Sequence, residues 1–173
     1  LGNGSDSYAT WGGYSATIAS GTWFHWAIVY DGAGATDADR LKLYINGNAT
    51  PIVLGFTGTI PATSSNLAGY GALLTGAADW FAGYMDEVRV WSVARSGAEI
   101  NTTYDVILDG STTNLVAAWR MDEGTGTVTN DETTNYDATI DGATWTVYAN
   151  GFDSDDRWKS TRLNSSHVAI SYA

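Results

Sequence analysis

The stretch TWFHWAIVYD (residues 22–31) and, after a polar loop, LKLYINGN (41–48) decide the fold of this chain. The first is rich in β-branched and aromatic residues and is apolar on both alternating faces, which predicts a strand buried on two sides. The second alternates between apolar and polar residues, and its apolar face consists of Leu41, Leu43 and Ile45. Asn46-Gly47 predicts a type I′ turn, because both residues tolerate positive φ. We expect residues 49–54 to return as the hairpin partner.

More strand signals follow toward the C-terminus. The stretch FAGYMDEVRVW predicts one continuous strand over residues 82–91. Ser96 and Glu99 have the Ser-x-x-Glu spacing of a capping box, which predicts a short helix. Further strands are predicted over 115–121 and 136–145, with a loop over 123–135 between them. The pattern indicates an all-β domain with one short helix.

Composition narrows the class of protein. The chain has 173 residues, enough for one domain with a sizeable core, and its eight Trp, ten Tyr and 20 Gly favour β structure with many turns. Eight Lys and Arg face 19 Asp and Glu, a net charge of −11, which argues against a nucleic acid or an anionic membrane as partner. No apolar run is long enough to insert into a membrane. The absence of Cys excludes disulfides, thiolate metal sites and a Cys nucleophile.

Five segments resemble, in order, the laminin-G-like jelly rolls of the concanavalin A-like superfamily, with pentraxins as near relations. They are TWFHWAIVYDG, LKLYINGN, FAGYMDEVRVW, SVARSGAEI, and NLVAAWRMDEGTGT with DATIDGATW. The resemblance implies an antiparallel two-sheet jelly-roll sandwich, of which residues 1–150 form a part. It also implies that the first strands of the domain lie before Leu1. A fold of this kind does not specify a function.

The last 23 residues, 151–173, form a separate tail. From about residue 157, the stretch RWKSTRLNSSHVAISYA resembles the conceptual translation of a sequencing adapter. It holds three of the eight basic residues and no acid. We therefore expect it to be an artefact, the alternative being a genuine last strand over VAISYA. A short apolar segment can pair with any exposed sheet edge, so pairing alone would not decide between them.

The neighbouring acids Asp86 and Glu87 raise the question of glycosidase chemistry. Neighbours on a strand point to opposite faces, whereas two catalytic carboxyls must converge within about 5–9.5 Å. The glucanases of the resembling superfamily place their acids at alternate positions, as in Glu-x-Asp-x-Glu, and this spacing does not occur here. We expect Asp86 to be hydrogen-bonded within the sheet and Glu87 to pair with Arg89 or a cross-strand partner. Metal ligation is the alternative, and no catalytic residue is predicted.

Aromatic residues in predicted loops are the candidate ligand-binding residues, because sugar rings stack their CH faces on aromatic planes. They are Trp11, Tyr14, Tyr70 and Trp80. The alternative for each of them is packing in the core. The Trp residues in or near predicted strands are assigned to the core, namely Trp23, Trp26, Trp91, Trp119 and Trp145. His25 is assigned a structural role.

Asp37 and Asp39, in the predicted loop over 32–40, are the candidate metal ligands. Calcium takes several oxygen ligands, and Asp-x-Asp in a loop can supply two. The alternative is that both are solvated loop acids. The acidic calcium-binding stretch of pentraxins would fall at Gly69–Thr75, which contains no acid.

These observations favour a non-catalytic binding or adhesion module of a larger secreted or cell-surface protein. The expected partner is a glycan or an extracellular protein, with carbohydrate favoured and calcium as the candidate cofactor. A protein-binding or spacer module and an accessory domain of a glycoside hydrolase are the alternatives. No enzymatic activity, nucleic-acid partner or membrane insertion is expected.

Overall fold

The computed structural model describes residues 8–12, 21–62, 83–147 and 161–165. The strands are β1 (Tyr8–Thr10), β2 (Trp26–Tyr30), β3 (Leu41–Ile45), β4 (Gly55–Thr57), β5 (Gly83–Met85), β6 (Val88–Trp91), β7 (Leu115–Trp119), β8 (Val128–Thr129), β9 (Ala138–Thr139), β10 (Thr144–Val147) and β11 (Thr161–Ser165). The helices are α1 (Asp37–Arg40) and α2 (Gly97–Asn101). Two compact units divide the chain: the first comprises Leu1–Ser65 and Val93–Val106, and the second Asn66–Ser92 and Ile107–Ala173.

The described part consists mostly of strands with few helices, consistent with the expected all-β fold. All strand pairs are antiparallel, in the small sheets β1–β4, β2–β3, β6–β7, β8–β9 and β10–β11–β5. The two-sheet sandwich and the jelly-roll connection stay predictions. The expectation of one helix was wrong, since the described residues contain α1 as well as α2.

In the first unit, β2 and β3 form the central hairpin, in register from Trp26–Ile45 to Tyr30–Leu41. The type I′ turn that follows β3 is confirmed, because Asn46 and Gly47 have φ values of 50° and 66°. The expected partner strand over 49–54 is reduced to a bridge between Leu43 and Ile52. The chain instead forms β4 just beyond this segment, and β4 pairs with β1.

Helix α2 begins as predicted, with Ser96 as its N-cap. The Ser96 hydroxyl accepts from the Glu99 amide at 3.3 Å, and the Glu99 carboxylate accepts from the Ser96 amide at 2.8 Å. This reciprocal pair satisfies two amides that the first helical turn leaves without partners.

The helix packs on one face of the hairpin and on its turn. Ile100 lies in a buried cluster with Val29 and Tyr44. Asn101 Nδ2 donates to the Gly47 carbonyl at 2.7 Å. Gly97 lies so close to the Ala49 carbonyl that a side chain at this position would overlap it. Helix α2 therefore covers one face of the hairpin and fixes the turn.

In the second unit, Trp119 is the centre of the core, as predicted. It is 1% exposed and clusters with Ala117, Met121, Ala138 and Ile140. Its indole nitrogen donates to a carbonyl, that of Tyr136, at 2.7 Å, so burial leaves no polar atom of the ring unsatisfied.

The prediction of one continuous strand over 82–91 was wrong. The strand is interrupted at Asp86 and Glu87, where Glu87 has φ 51°. A non-glycine residue in the left-handed region ends the extended conformation that a ladder requires. The two halves join different sheets, β5 with β11 and β6 with β7.

Residues 161–165 of the tail form β11 between β10 and β5. Backbone groups at a sheet edge pair with any extended segment, so this pairing does not bear on the origin of the tail. The artefact stays a prediction.

A buried carboxylate, Asp131, organises the loop between β8 and β9. It is 3% exposed. One carboxylate oxygen accepts from the amides of Ala118 at 2.8 Å and Thr133 at 3.1 Å. The other accepts from the amides of Asn135 at 3.2 Å and Tyr136 at 3.1 Å, and from the Thr133 hydroxyl. Burial acts to raise the pKa of Asp131, but these hydrogen bonds outweigh it and lower the pKa below its ordinary value of 3.8.

We predict that Asp131→Asn destabilises the protein by about 2–3 kcal/mol, because the new amide group faces backbone N–H donors in either orientation. The midpoint of urea unfolding, at unchanged m-value, measures this loss. The matched control is Asp137→Asn. Asp137 is exposed and accepts from the Asp131 amide at 2.9 Å, which an Asn carbonyl oxygen can also do. Equal losses in the two variants would contradict the assigned role of Asp131.

Acidification provides a second test of Asp131. Because its folded-state pKa is lowered, the unfolded chain takes up the proton first, and the stabilisation is lost as the pH falls below 3.8 toward the folded value. The stability difference between the wild type and Asp131→Asn should therefore be full at neutral pH and shrink in acid. Urea unfolding at a series of pH values measures it. A difference that stays constant through this window would show that the carboxylate is not the stabilising group.

A third substitution tests the packing of α2 against the turn. Gly97→Ala would force the Ala49 carbonyl away from the helix, at a cost of about 1–3 kcal/mol. Gly12→Ala is the matched control, because its new methyl group meets open space and its backbone is not in the left-handed region. Thermal unfolding should show a clear decrease in Tm for Gly97→Ala and none for the control. Identical Tm values would mean that the helix can shift without loss.

Candidate functional site

The face of the β2–β3 hairpin opposite α2 carries two exposed apolar side chains. Alternation and register place Trp26 and Ile28 on this face together with their partners Ile45 and Leu43. Ile45 is buried, so the exposure is confined to part of the face. Trp26 is 43% exposed and Ile28 is 57% exposed. The assignment of Trp26 to the core was therefore wrong, and so was the expectation that the strand over 22–31 is buried on both sides. The physical reason is that α2 covers only the other face.

One end of this exposed face is closed. The Tyr30 hydroxyl donates to the Pro61 carbonyl at 2.6 Å. The preceding residue, Ile60, is fully buried, and its amide donates to Asp37 at 2.8 Å while its carbonyl accepts from Arg40 at 3.0 Å. Segment 60–61 is thus fixed at the Tyr30 end of β2.

The other end of the face leads to the type I′ turn and its exposed amide. Asn46 follows Ile45, which is paired with Trp26. Its backbone amide donates to the His25 carbonyl at 2.8 Å, and its side-chain oxygen accepts from the His25 amide at 2.9 Å. The exposed indole of Trp26 and the exposed amide of Asn46 thus belong to neighbouring residues of the paired strands, and successive residues of a strand alternate between its two faces. An indole can stack on the apolar face of a sugar ring, and an amide can hydrogen-bond to hydroxyl groups.

His25 itself has the structural role that was predicted for it. Its ring contacts the Tyr104 ring edge-on, with the centroids 5.6 Å apart. Tyr104 in turn lies one helical turn after Ile100 of α2, and its amide donates to the Ile100 carbonyl at 3.0 Å.

Of the four predicted loop aromatics, the structure describes Trp11. It is half-buried and directly follows β1, beside Thr10, whose hydroxyl donates to the Gly55 carbonyl at 3.4 Å. Tyr14, Tyr70 and Trp80 lie outside the described residues. The ligand-binding role of all four stays a prediction. The other Trp residues assigned to the core are half-buried, namely Trp23, which precedes β2, and Trp91 and Trp145, which lie in β6 and β10.

Asp37 and Asp39 lie in α1, so the predicted loop over 32–40 in fact ends in a helical turn. Asp39 accepts from the amide of Thr36 at 3.1 Å and from its hydroxyl at 2.7 Å. These bonds, the hydroxyl first, lower the pKa of Asp39 below its ordinary value. Asp37 binds the amide of Ile60. In the described part of the chain no three or more His, Cys, Asp and Glu residues form a group that could hold a metal ion, and calcium stays a prediction.

The Asp86-Glu87 pair lies at the break between β5 and β6. Glu87 forms an ion pair with Arg89 at 2.9 Å, as predicted. The side chains of Glu87 and Arg89 are both largely shielded from solvent. The lack of catalytic activity stays a prediction.

A shallow apolar depression of about 200 Å³ lies between α1 and segment 51–56. Leu41, Pro51, Val53 and Phe56 are among the residues that line it. Pockets for small molecules are usually about 300–1,000 Å³. This depression therefore suits one apolar side chain better than a sugar ring.

Trp26 was not among the candidates predicted from the sequence, and Asn46 was predicted only as a turn residue. One signal could have found Trp26. The predicted helix carries its apolar residues, Ile100 and Tyr104, on a single stripe, and a helix of this length covers only one face of a hairpin.

Comparison with known families agrees with this fold. A laminin G-type family model, described as the concanavalin A-like lectin/glucanases superfamily, matches residues 1–101. The match covers more than half of the 173 residues, and the chain belongs to this family. It ends at the last residue of α2, so the resembling segments over 114–145 lie beyond it. Neither curated proteins nor solved structures gave a match.

One finding concerns membranes. Among the described residues, the structure contains no helix whose length and apolar character would let it span a bilayer.

Proposed function

We propose that this chain is a non-catalytic carbohydrate-binding module of a larger secreted or cell-surface protein, where it serves in adhesion. The observation that carries the proposal is the 43% exposed Trp26 on the hairpin face opposite α2. Membership of the lectin/glucanase superfamily supports a module that binds a glycan or a protein. The complete domain would be the jelly-roll sandwich that the resemblance implies.

The chemistry of this face favours a neutral ligand with one apolar side. The indole offers a flat apolar surface, and Asn46 can pair with hydroxyl groups. A net charge of −11 repels nucleic acids and acidic polymers but does not oppose neutral sugars. Trp11, Tyr14, Tyr70 and Trp80 remain proposed contributors from the loops. Calcium at Asp37 and Asp39 is a weaker proposal, because it would compete with the Ile60 and Thr36 bonds.

A protein partner is the second candidate, and one observation favours it. Ile28 is more exposed than Trp26 and offers no polar group. Apolar surface at the centre of a patch is typical of a protein interface.

We predict that Trp26→Ala weakens glycan binding at least about tenfold, a loss of about 1.4 kcal/mol, because the stacking surface is removed. A glycan array with the full chain identifies the sugar, and calorimetric titration measures Kd. Tyr136→Ala is the control, since Tyr136 is 46% exposed but lies in the second unit. The urea midpoint verifies that each variant is folded.

Ile28→Ser separates the two candidates. It should leave sugar binding within about threefold, or 0.6 kcal/mol, whereas a protein interface centred on the apolar face would lose more. No binding across the array, or unchanged affinity in Trp26→Ala, would overturn the carbohydrate proposal.

A further inference from the structure

Two segments in the first unit carry the Asn-x-Thr pattern of N-glycosylation acceptors. They are Asn48-Ala49-Thr50, just after the type I′ turn, and Asn101-Thr102-Thr103, at the end of α2. Both Asn side chains are exposed, so the pattern and the exposure do not distinguish the two segments. Their hydrogen bonds do, because the sugar is joined to the side-chain nitrogen of Asn and the pattern requires the hydroxyl two residues on.

At Asn48 neither the side-chain nitrogen nor the hydroxyl that the motif requires is used by the described hydrogen bonds. The side-chain oxygen accepts from the Thr50 amide at 2.9 Å, an Asx turn that brings the two ends of the motif together. Within the described residues, no hydrogen bond engages the Asn48 side-chain nitrogen or the Thr50 hydroxyl, and both residues are exposed. Two contacts fix the backbone of this segment: the Asn48 amide donates to the Ile45 carbonyl at 3.0 Å, and Ala49 packs on Gly97.

At Asn101 the side-chain nitrogen and the Thr103 hydroxyl both donate hydrogen bonds within the protein. The side-chain nitrogen donates to the Gly47 carbonyl at 2.7 Å. The Thr103 hydroxyl donates to the Glu99 carbonyl at 2.8 Å. A glycan would replace one of the two hydrogens of this nitrogen, directly beside the turn on which α2 packs.

We propose that Asn48 is an N-glycosylation site of the folded protein and that Asn101 is not. In the transfer, the Asn48 side-chain nitrogen bonds to the anomeric carbon of a lipid-linked oligosaccharide diphosphate. The bond from that carbon to the diphosphate oxygen breaks, the lipid diphosphate leaves with the electron pair, and the nitrogen releases one proton. The proposal rests on the extracellular location proposed above and is independent of whether the module binds sugar.

The test compares the folded chain with peptides. A purified oligosaccharyltransferase and its lipid-linked donor are given the full chain, and separately peptides 44–54 and 97–107, with glycopeptide mass spectrometry as the readout. Both peptides should be modified. In the chain, Asn48 should be modified at least about tenfold more than Asn101, since freeing the Asn101 nitrogen costs about one hydrogen bond, 1–1.5 kcal/mol. An unmodified Asn48, or equal modification of the two sites in the chain, would overturn the proposal.

Expression in eukaryotic cells behind a secretory leader provides a second test that does not depend on the native location. The wild type, Asn48→Gln and Asn101→Gln are compared by gel mobility before and after glycosidase treatment, with the related Asn-x-Ser motifs at Asn3 and Asn164 kept in all three. Asn48→Gln should lose one glycan, and Asn101→Gln should lose none from the secreted protein. A wild-type pattern for Asn48→Gln would contradict the proposal, whatever the outcome of the glycan array.

Discussion

The contact between α2 and the type I′ turn is the constraint on which the first unit depends. The turn places the Gly47 carbonyl where Asn101 can donate to it. Gly47 has no side chain, and a methyl group at this position would overlap the Tyr104 ring. A helix held in this way covers one face of the hairpin, and the opposite face is left without it. Val29 lies on the covered face and is buried, whereas Trp26 lies on the opposite face and is 43% exposed.

The packing of the structure distinguishes residues that look equivalent in the sequence. Asn48 and Asn101 share a motif and are both exposed, yet one side-chain nitrogen is free of the described hydrogen bonds and the other holds the helix to the turn. Trp26 and Trp119 both sit in predicted strands rich in apolar residues. One lies on the face that α2 leaves uncovered, and the other is at the centre of a cluster. Residue type gives the available chemistry, and packing determines which atoms can use it.

Local signals explain what could be predicted. The signals for the turn at Asn46-Gly47 and for the cap at Ser96 each span no more than four residues. Both predictions are confirmed, because these short sequences are compatible with few backbone conformations. Helix α1 has the same capping arrangement, with Thr36 and Asp39 in place of Ser and Glu. It was not predicted, because the Ser-x-x-Glu pattern does not include Thr-x-x-Asp. The two strands over 82–91 were merged because nothing local in Asp86-Glu87 predicts a positive φ.

Sites that depend on neighbours distant in sequence could not be predicted in this way. The loop over 123–135 reads as polar and featureless, yet Asp131 gathers amides from both β7 and its own loop. Nothing near Asp131 in sequence indicates that Ala118 will face it. The same holds for Asp37, whose partner Ile60 lies 23 residues away.

The role of the acids bears on the question of the ligand. Many of them accept hydrogen bonds from the protein itself, among them Asp31, Asp37, Asp39, Glu87, Glu99, Asp109, Glu123, Asp131 and Asp137. A cation that recruited one of these carboxylates would have to compete with a backbone amide or an Arg for the same lone pairs. The acidity of the sequence is therefore weak evidence for cation binding, because carboxylates perform much of the capping and loop closure in this chain. The exposed indole of Trp26 makes none of the described hydrogen bonds. It is therefore stronger support for a proposed ligand than the net charge is.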